Sequence, residues 1–123
     1  MTFSFSASSK LLKVVAPLAT LALLGFSASV MAADVDADAA MALAKKNDCF
    51  KCHAIDKTKK GPSYKKVAAK YKGKEAEGQE KILKNITTGP KVKLEDGTEE
   101  EHKIIDSKDP KAIKNLIDWI LAQ

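Results

Sequence analysis

The chain has 123 residues, 45% hydrophobic and 30% charged, with 21 basic side chains against 16 acidic ones and a formal charge of +5. That length has room for one small domain and excludes a large multidomain enzyme. Every basic residue is lysine, so the bidentate guanidinium contacts that favour specific nucleic-acid or phosphate recognition are absent, and no nucleic-acid partner is expected.

At the N-terminus, Lys10 and Lys13 precede an apolar run from Val14 to Phe26, which ends in Ser27-Ala28-Ser29-Val30-Met31-Ala32-Ala33. A positive segment, a short apolar stretch and a small-residue cleavage site make residues 1–32 a secretory signal peptide, cut near 32/33. The run is short for a bilayer and carries Pro17, so an uncleaved anchor is the weaker reading and no stable membrane insertion is expected after cleavage. The signal holds two of the lysines and no acid, leaving residues 33–123 as a mature domain of charge +3. The expected compartment is the periplasm.

Asp36 to Lys46 reads as the first mature helix, alanine-rich, with acids at its start and lysines at its end. It leads directly into Cys49-Phe50-Lys51-Cys52-His53. Asp56 to Gly61 is a polar loop ending at Gly61-Pro62. Tyr64 to Tyr71 forms a short helix with Tyr64, Val67, Ala68 and Tyr71 on one face. Lys72 to Glu77 is read as a charged break, and Glu80 to Ile86 as a further short helix with Ile82, Leu83 and Ile86 inward. Asp96-Gly97 is a hairpin-turn dipeptide that would pair Val92–Leu94 with Thr98–Glu100. The last helix has Asp109 as cap, Pro110 at its first position and an apolar face of Ile113, Leu116, Ile117, Ile120 and Leu121, with Trp119 flanking it.

Cys49 and Cys52 are the only cysteines, and with His53 they complete a C-x-x-C-H pattern. Two thiols at this spacing can each form a thioether to a porphyrin vinyl group, and the following imidazole can bind the iron. Three other readings compete. A redox dithiol needs a thioredoxin-like βαβ setting, which the surrounding pattern lacks. A disulfide here would close too small a loop to stabilise much. Cys49, Cys52, His53 and His102 make four potential zinc ligands, but adjacent Cys52 and His53 converge poorly on a tetrahedral ion. One covalent haem c is the favoured cofactor, and its attachment outside the cytoplasmic membrane agrees with a secretory signal.

Charge is uneven along the mature chain. Residues 45–74 hold eleven lysines and two acids, whereas residues 75–101 hold four lysines and eight acids. A lysine-rich face beside the haem motif suits a periplasmic redox partner with an acidic docking face, and a plain solvated surface is the equally weighted alternative.

The run KKNDCFKCHAIDKTKKGPSYKKVAAKYKG, with the terminal helix ending in DWILAQ, closely resembles the small class I cytochromes c of bacteria over residues 39–86 and 107–123. The resemblance implies an all-α fold in which the N- and C-terminal helices cross and pack around one haem, here through Ala40 to Ala44 and Phe50 against Leu116, Trp119 and Ile120. It also implies that the Pro62 carbonyl accepts a hydrogen bond from His53, the proximal ligand. Tyr64 and Tyr71 are candidates to pack on the haem or bond a propionate, with core packing at least as favoured. The family's distal methionine has no counterpart, since no methionine follows Met41. Met41 itself lies on the entering helix, and lysine must lose a proton to bind iron. His102 is therefore the expected sixth ligand, delivered by a small β-hairpin at 91–101, with a solvent-exposed His102 and an open distal position as alternatives.

These readings make the expected function single-electron transfer, without catalysis, at a lower potential than methionine-ligated relatives, because thioether ligation favours ferrous iron. A small-ligand (CO or NO) binder with a displaceable distal site is the first alternative. A haem subunit of a larger complex, or a dimer, joined through the 91–101 insertion is the second.

Overall fold

The computed structural model describes residues 34–123, so the expected signal peptide lies outside the described residues. Asp36 caps the first helix, α1 (Ala37–Lys46), by accepting the Ala39 N–H at 2.9 Å, while Lys45 and Lys46 face the negative end of the helix dipole. A single turn, α2 (Cys49–Cys52), follows immediately. Ser63 caps α3 (Tyr64–Tyr71), whose Tyr64 and Tyr71 are buried on the face expected from their spacing.

The next helix, α4 (Glu75–Thr88), is longer than the sequence reading allowed. Glu75 and Glu77 lie in its first turn, where carboxylates complement the dipole, so the charged break shrinks to residues 72–74. Gly78, a poor helix former, is retained because α4 crosses α3 and α5 there. A Cβ on it would lie 2.9 Å from Tyr71 Cβ and Cγ and 3.0 Å from Leu121 Cδ2. Ile82 and Ile86 point inward, but Leu83 is 43% exposed, being one residue off the i, i+4 stripe. Gly89, at φ +59°, ends α4 in the left-handed conformation.

A two-stranded antiparallel sheet follows, β1 (Lys91–Lys93) with β2 (Glu99–Glu101), in the register Val92↔Glu100 that the Asp96-Gly97 turn implied. The paired strands are displaced one residue outward from the expected ranges, although the Leu94 N–H still reaches the Thr98 carbonyl at 2.8 Å. Lys91 opposes Glu101 and Lys93 opposes Glu99, so opposite charges face each other across the ribbon. The ribbon is tied to the rest of the domain by the Glu95 N–H to the Lys60 carbonyl and by Lys60–Glu100 and Lys66–Glu95 ion pairs.

Asp109 caps the last helix, α5 (Pro110–Leu121), with Pro110 in its first turn. Its inner face packs against α1, α3 and α4. Ala40 and Ala44 are wholly buried with Leu116 and Ile120, and Phe50 and Met41 pack against that cluster. Small alanines on α1 let the two helices approach closely. Trp119 does not merely flank the apolar face: it is 5% exposed and meets the Tyr64 ring edge-on at 5.4 Å. Its placement follows from α3 packing on that side of α5, which helical periodicity alone does not reveal.

Leu116, 1% exposed, fills the centre of the core, and Leu116→Ala is expected to cost about 2–5 kcal/mol in denaturant unfolding of the holoprotein. Gly78→Ala is expected to destabilise as well. In an open helix the same change would stabilise by about 1 kcal/mol, so the sign of the shift reports the α3–α4–α5 crossing.

Candidate haem site

Cys49 and Cys52 occupy the first and last positions of one helical turn, three residues apart and both half-buried free thiols. That spacing puts them on the same side of α2. His53 leaves the turn with extended backbone, φ −116° and ψ 157°, and its ring is carried away from the helix axis. The Nδ1–H of His53 donates to the Pro62 carbonyl at 2.7 Å, which leaves Nε2 as the nitrogen available for a metal.

The loop that supplies Pro62 is closed by its own backbone. Gly61 N–H bonds to the Cys52 carbonyl at 2.8 Å, Tyr64 N–H to Ala54 at 2.9 Å and Lys65 N–H to Ile55 at 3.0 Å. The Lys59 ammonium also donates to the Phe50 carbonyl. Gly61 lies directly against the imidazole: a Cβ there would sit 2.7 Å from His53 Cε1 and 3.1 Å from Nδ1. The Gly-Pro dipeptide was visible in the sequence as a loop end, but its glycine's role as clearance for the ring was not.

Tyr64 stacks on the His53 ring at 5.4 Å and 19° between planes, and Phe50 and Trp119 meet the tyrosine edge-on. Tyr64 is 3% exposed and backs the histidine, the core packing that was weighed against contact with the haem. Burial pushes its phenol well above the usual value, and the neighbouring Cys49 adds to that effect. Burial also raises the Cys49 thiol, partly offset by its hydrogen bond with Tyr64. Tyr71 packs against Gly78, under the α4 crossing.

Burial lowers the basicity of His53, against the opposing pull of the Pro62 carbonyl and with a further lowering from His102. Burial therefore favours the neutral imidazole, the form that binds a metal. His102, half-buried at the end of the hairpin, lies across from it, with ring centres 6.2 Å apart and planes tilted by 39°. The His102 Nδ1 is 3.0 Å from the Lys103 carbonyl, which again leaves Nε2 available. The His102 backbone is placed by its N–H to the Pro90 carbonyl at 2.9 Å and passes so close over Gly89 that a Cβ there would lie 2.9 Å from the His102 carbonyl oxygen.

These residues suit a haem. An imidazole nitrogen lies about 2 Å from a metal and about 1 Å from its ring centre, so two axial imidazoles put their ring centres about 6 Å apart. The observed separation matches, and both remaining nitrogens are acceptors. Among the described residues no three of His, Cys, Asp or Glu cluster as a metal site, so the four zinc candidates do not converge.

Comparison with known proteins bears on the fold and the family. The family model for cytochrome c matches residues 37–123. Cytochrome c-552 of Nitrosomonas europaea is 34% identical over 106 residues, spanning 78% of this chain and 89% of its own length. Cytochrome c-551 of Allochromatium vinosum is 36% identical over 66 residues, or 54% of this chain and 67% of that protein. Among solved structures, the class 1 cytochrome MtoD from Sideroxydans lithotrophicus ES-1 superposes with a TM-score of 0.67 at 59% identity, covering 72% of this chain and 97% of that one. Crossed terminal helices, a C-x-x-C-H turn with its histidine held by a loop carbonyl, and this match over nearly all the described residues place the chain in the cytochrome c family, as a monohaem c-type cytochrome with the class I fold and covalently bound haem c.

Proposed function

We propose that this protein is a periplasmic one-electron carrier whose haem is held by thioethers from Cys49 and Cys52 and by axial nitrogens from His53 and His102. The observation that carries this reading is the pair of imidazoles 6.2 Å apart, each with its Nδ1 beside a backbone carbonyl. Bound haem would supply an iron that cycles between two oxidation states. The chain's part is to fill both axial positions, so that no substrate binds, and to keep both ligands still, so that little rearranges when the charge changes.

Replacing the family's thioether with a second imidazole supports a lower reduction potential, because imidazole stabilises ferric iron better. The Pro62 carbonyl contact at His53 acts in the same direction by raising ligand basicity. The lysine-rich stretch supports an acidic redox partner, but part of it is already engaged. Lys60 and Lys66 pair with Glu100 and Glu95 of the hairpin. The lysines left for docking are therefore drawn from the rest of residues 45–74, such as Lys57, Lys70 and Lys72, which are exposed.

Absorption and EPR spectra of the holoprotein, with and without CO, test the ligation. Wild type is expected to be low-spin and inert to CO, and His102→Ala to be high-spin and CO-binding, with a shifted potential. A wild type that binds CO, unchanged by the mutation, would move the protein to the small-ligand binders. Gly61→Ala pushes on the His53 ring and weakens its bond to Pro62. Redox titration is expected to show a rise on the order of tens of millivolts, since a less basic ligand favours ferrous iron. Electron transfer with an acidic partner is expected to slow as ionic strength rises, because the Debye length falls from about 30 Å at 0.01 M to about 8 Å at 0.15 M. Stopped-flow rates across that range check it.

A further inference from the structure

Asn47 and Asp48 directly precede Cys49, yet their side chains are committed elsewhere. Asn47 is 3% exposed, and its Oδ1 accepts the Asp106 N–H at 2.7 Å while its Nδ2 donates to the Leu43 carbonyl at 3.0 Å. Asp48 is the one described non-glycine residue at positive φ, +57°. Side chains with a Cβ enter that region at a cost, and outliers of this kind gather where a side chain is needed. Its carboxylate takes the Lys103 ammonium at 3.0 Å and the Lys51 ammonium at 3.2 Å, and these lysines hold it below the usual carboxylate range.

Both contacts across the chain land on the segment just after His102. Lys103 is the residue whose carbonyl lies beside the His102 Nδ1, and its ammonium goes to Asp48. Asp106 begins the return to α5. The segment is also held by the Ile105 side chain in the core, by the His102 N–H to Pro90 and by the Ile105 N–H to Ile86 at 2.7 Å, these two hydrogen bonds joining it to α4 and its end. Among the described hydrogen bonds and ion pairs, only those of Asn47 and Asp48 link it to the residues that lead into the cysteine turn.

We propose that Asn47 and Asp48 are positioning residues for the distal histidine, clasping residues 103–106 so that His102 is held opposite His53. This rests on His102 being an axial ligand. If His102 is to leave the iron, the segment that carries it must swing outward, and the clasp resists that motion without touching the metal. The pair then sets how readily an external ligand displaces His102.

The test is the rate of cyanide binding to ferric holoprotein, measured beside the thermal unfolding midpoint. Asp48→Gly removes the carboxylate and relieves the positive-φ strain, so a purely architectural Asp48 predicts an unchanged rate. The clasp predicts a rise of about two- to fivefold in both Asp48→Gly and Lys103→Gln, the range an exposed ion pair supports, with the double variant no faster than either single one. Asn47→Ala strands a donor and is expected to raise the rate about tenfold or more. If that variant fails to fold, the two exposed ones decide. None of these changes should alter the rate in a His102→Ala background. Wild-type rates in Asp48→Gly and Lys103→Gln, with His102→Ala opening the site, overturn the clasp and leave the axial assignment standing. A wild-type rate in His102→Ala overturns both.

Discussion

The crossing of α1 on α5 is the contact from which the rest of the domain is built. Ala40 and Ala44 are wholly buried beneath Leu116 and Ile120, and their small side chains let two helices from opposite ends of the described chain approach closely. This contact brings the C-terminal end of α1, and therefore α2 with both cysteines, beside the segment that leads back into α5. It also places Trp119 where Tyr64 can meet it, so the ring stacked on His53 is itself supported by the terminal helix. Disturbing the crossing would loosen His53 without altering any residue near it.

The two sides of the site are held by different means. His53 is confined by a short loop: Gly61 leaves room for the ring, the Pro62 carbonyl accepts a hydrogen bond from its Nδ1–H, and Tyr64 lies behind it. All of these lie within eleven positions of the histidine, so the chain has little entropy to lose in assembling them. His102 comes from a separate part of the chain and depends on distant partners, Pro90, Ile86, Asn47 and Asp48. The His53 side is thus locally encoded, and the His102 side exists only once the domain has closed.

The hairpin changes the electrostatics as well as the geometry. Its acids lie across from its own lysines and also reach Lys60 and Lys66, so the strand pair that leads into His102 also neutralises part of the basic surface nearby. Each exposed pair contributes at most about 1 kcal/mol, but two pairs with the Glu95–Lys60 backbone bond give the ribbon a defined seat.

The sequence by itself determined the cofactor chemistry and most of the helices. C-x-x-C-H is a covalent pattern whose meaning survives without a fold, and the Asp109-Pro110 cap acts within a few residues of where it stands. The hairpin register was legible for the same reason, since Asp96-Gly97 sets a local turn. Tertiary structure alone decided that α4 begins at Glu75, that Trp119 is central and Leu83 exposed, and that Tyr64 backs the histidine. It also decided that His53 and His102, 49 positions apart in sequence, come to face one another at 6.2 Å. Those facts depend on which surfaces meet when helices cross. Local periodicity and capping specify an element's existence and its apolar face, but not the neighbour that will cover that face.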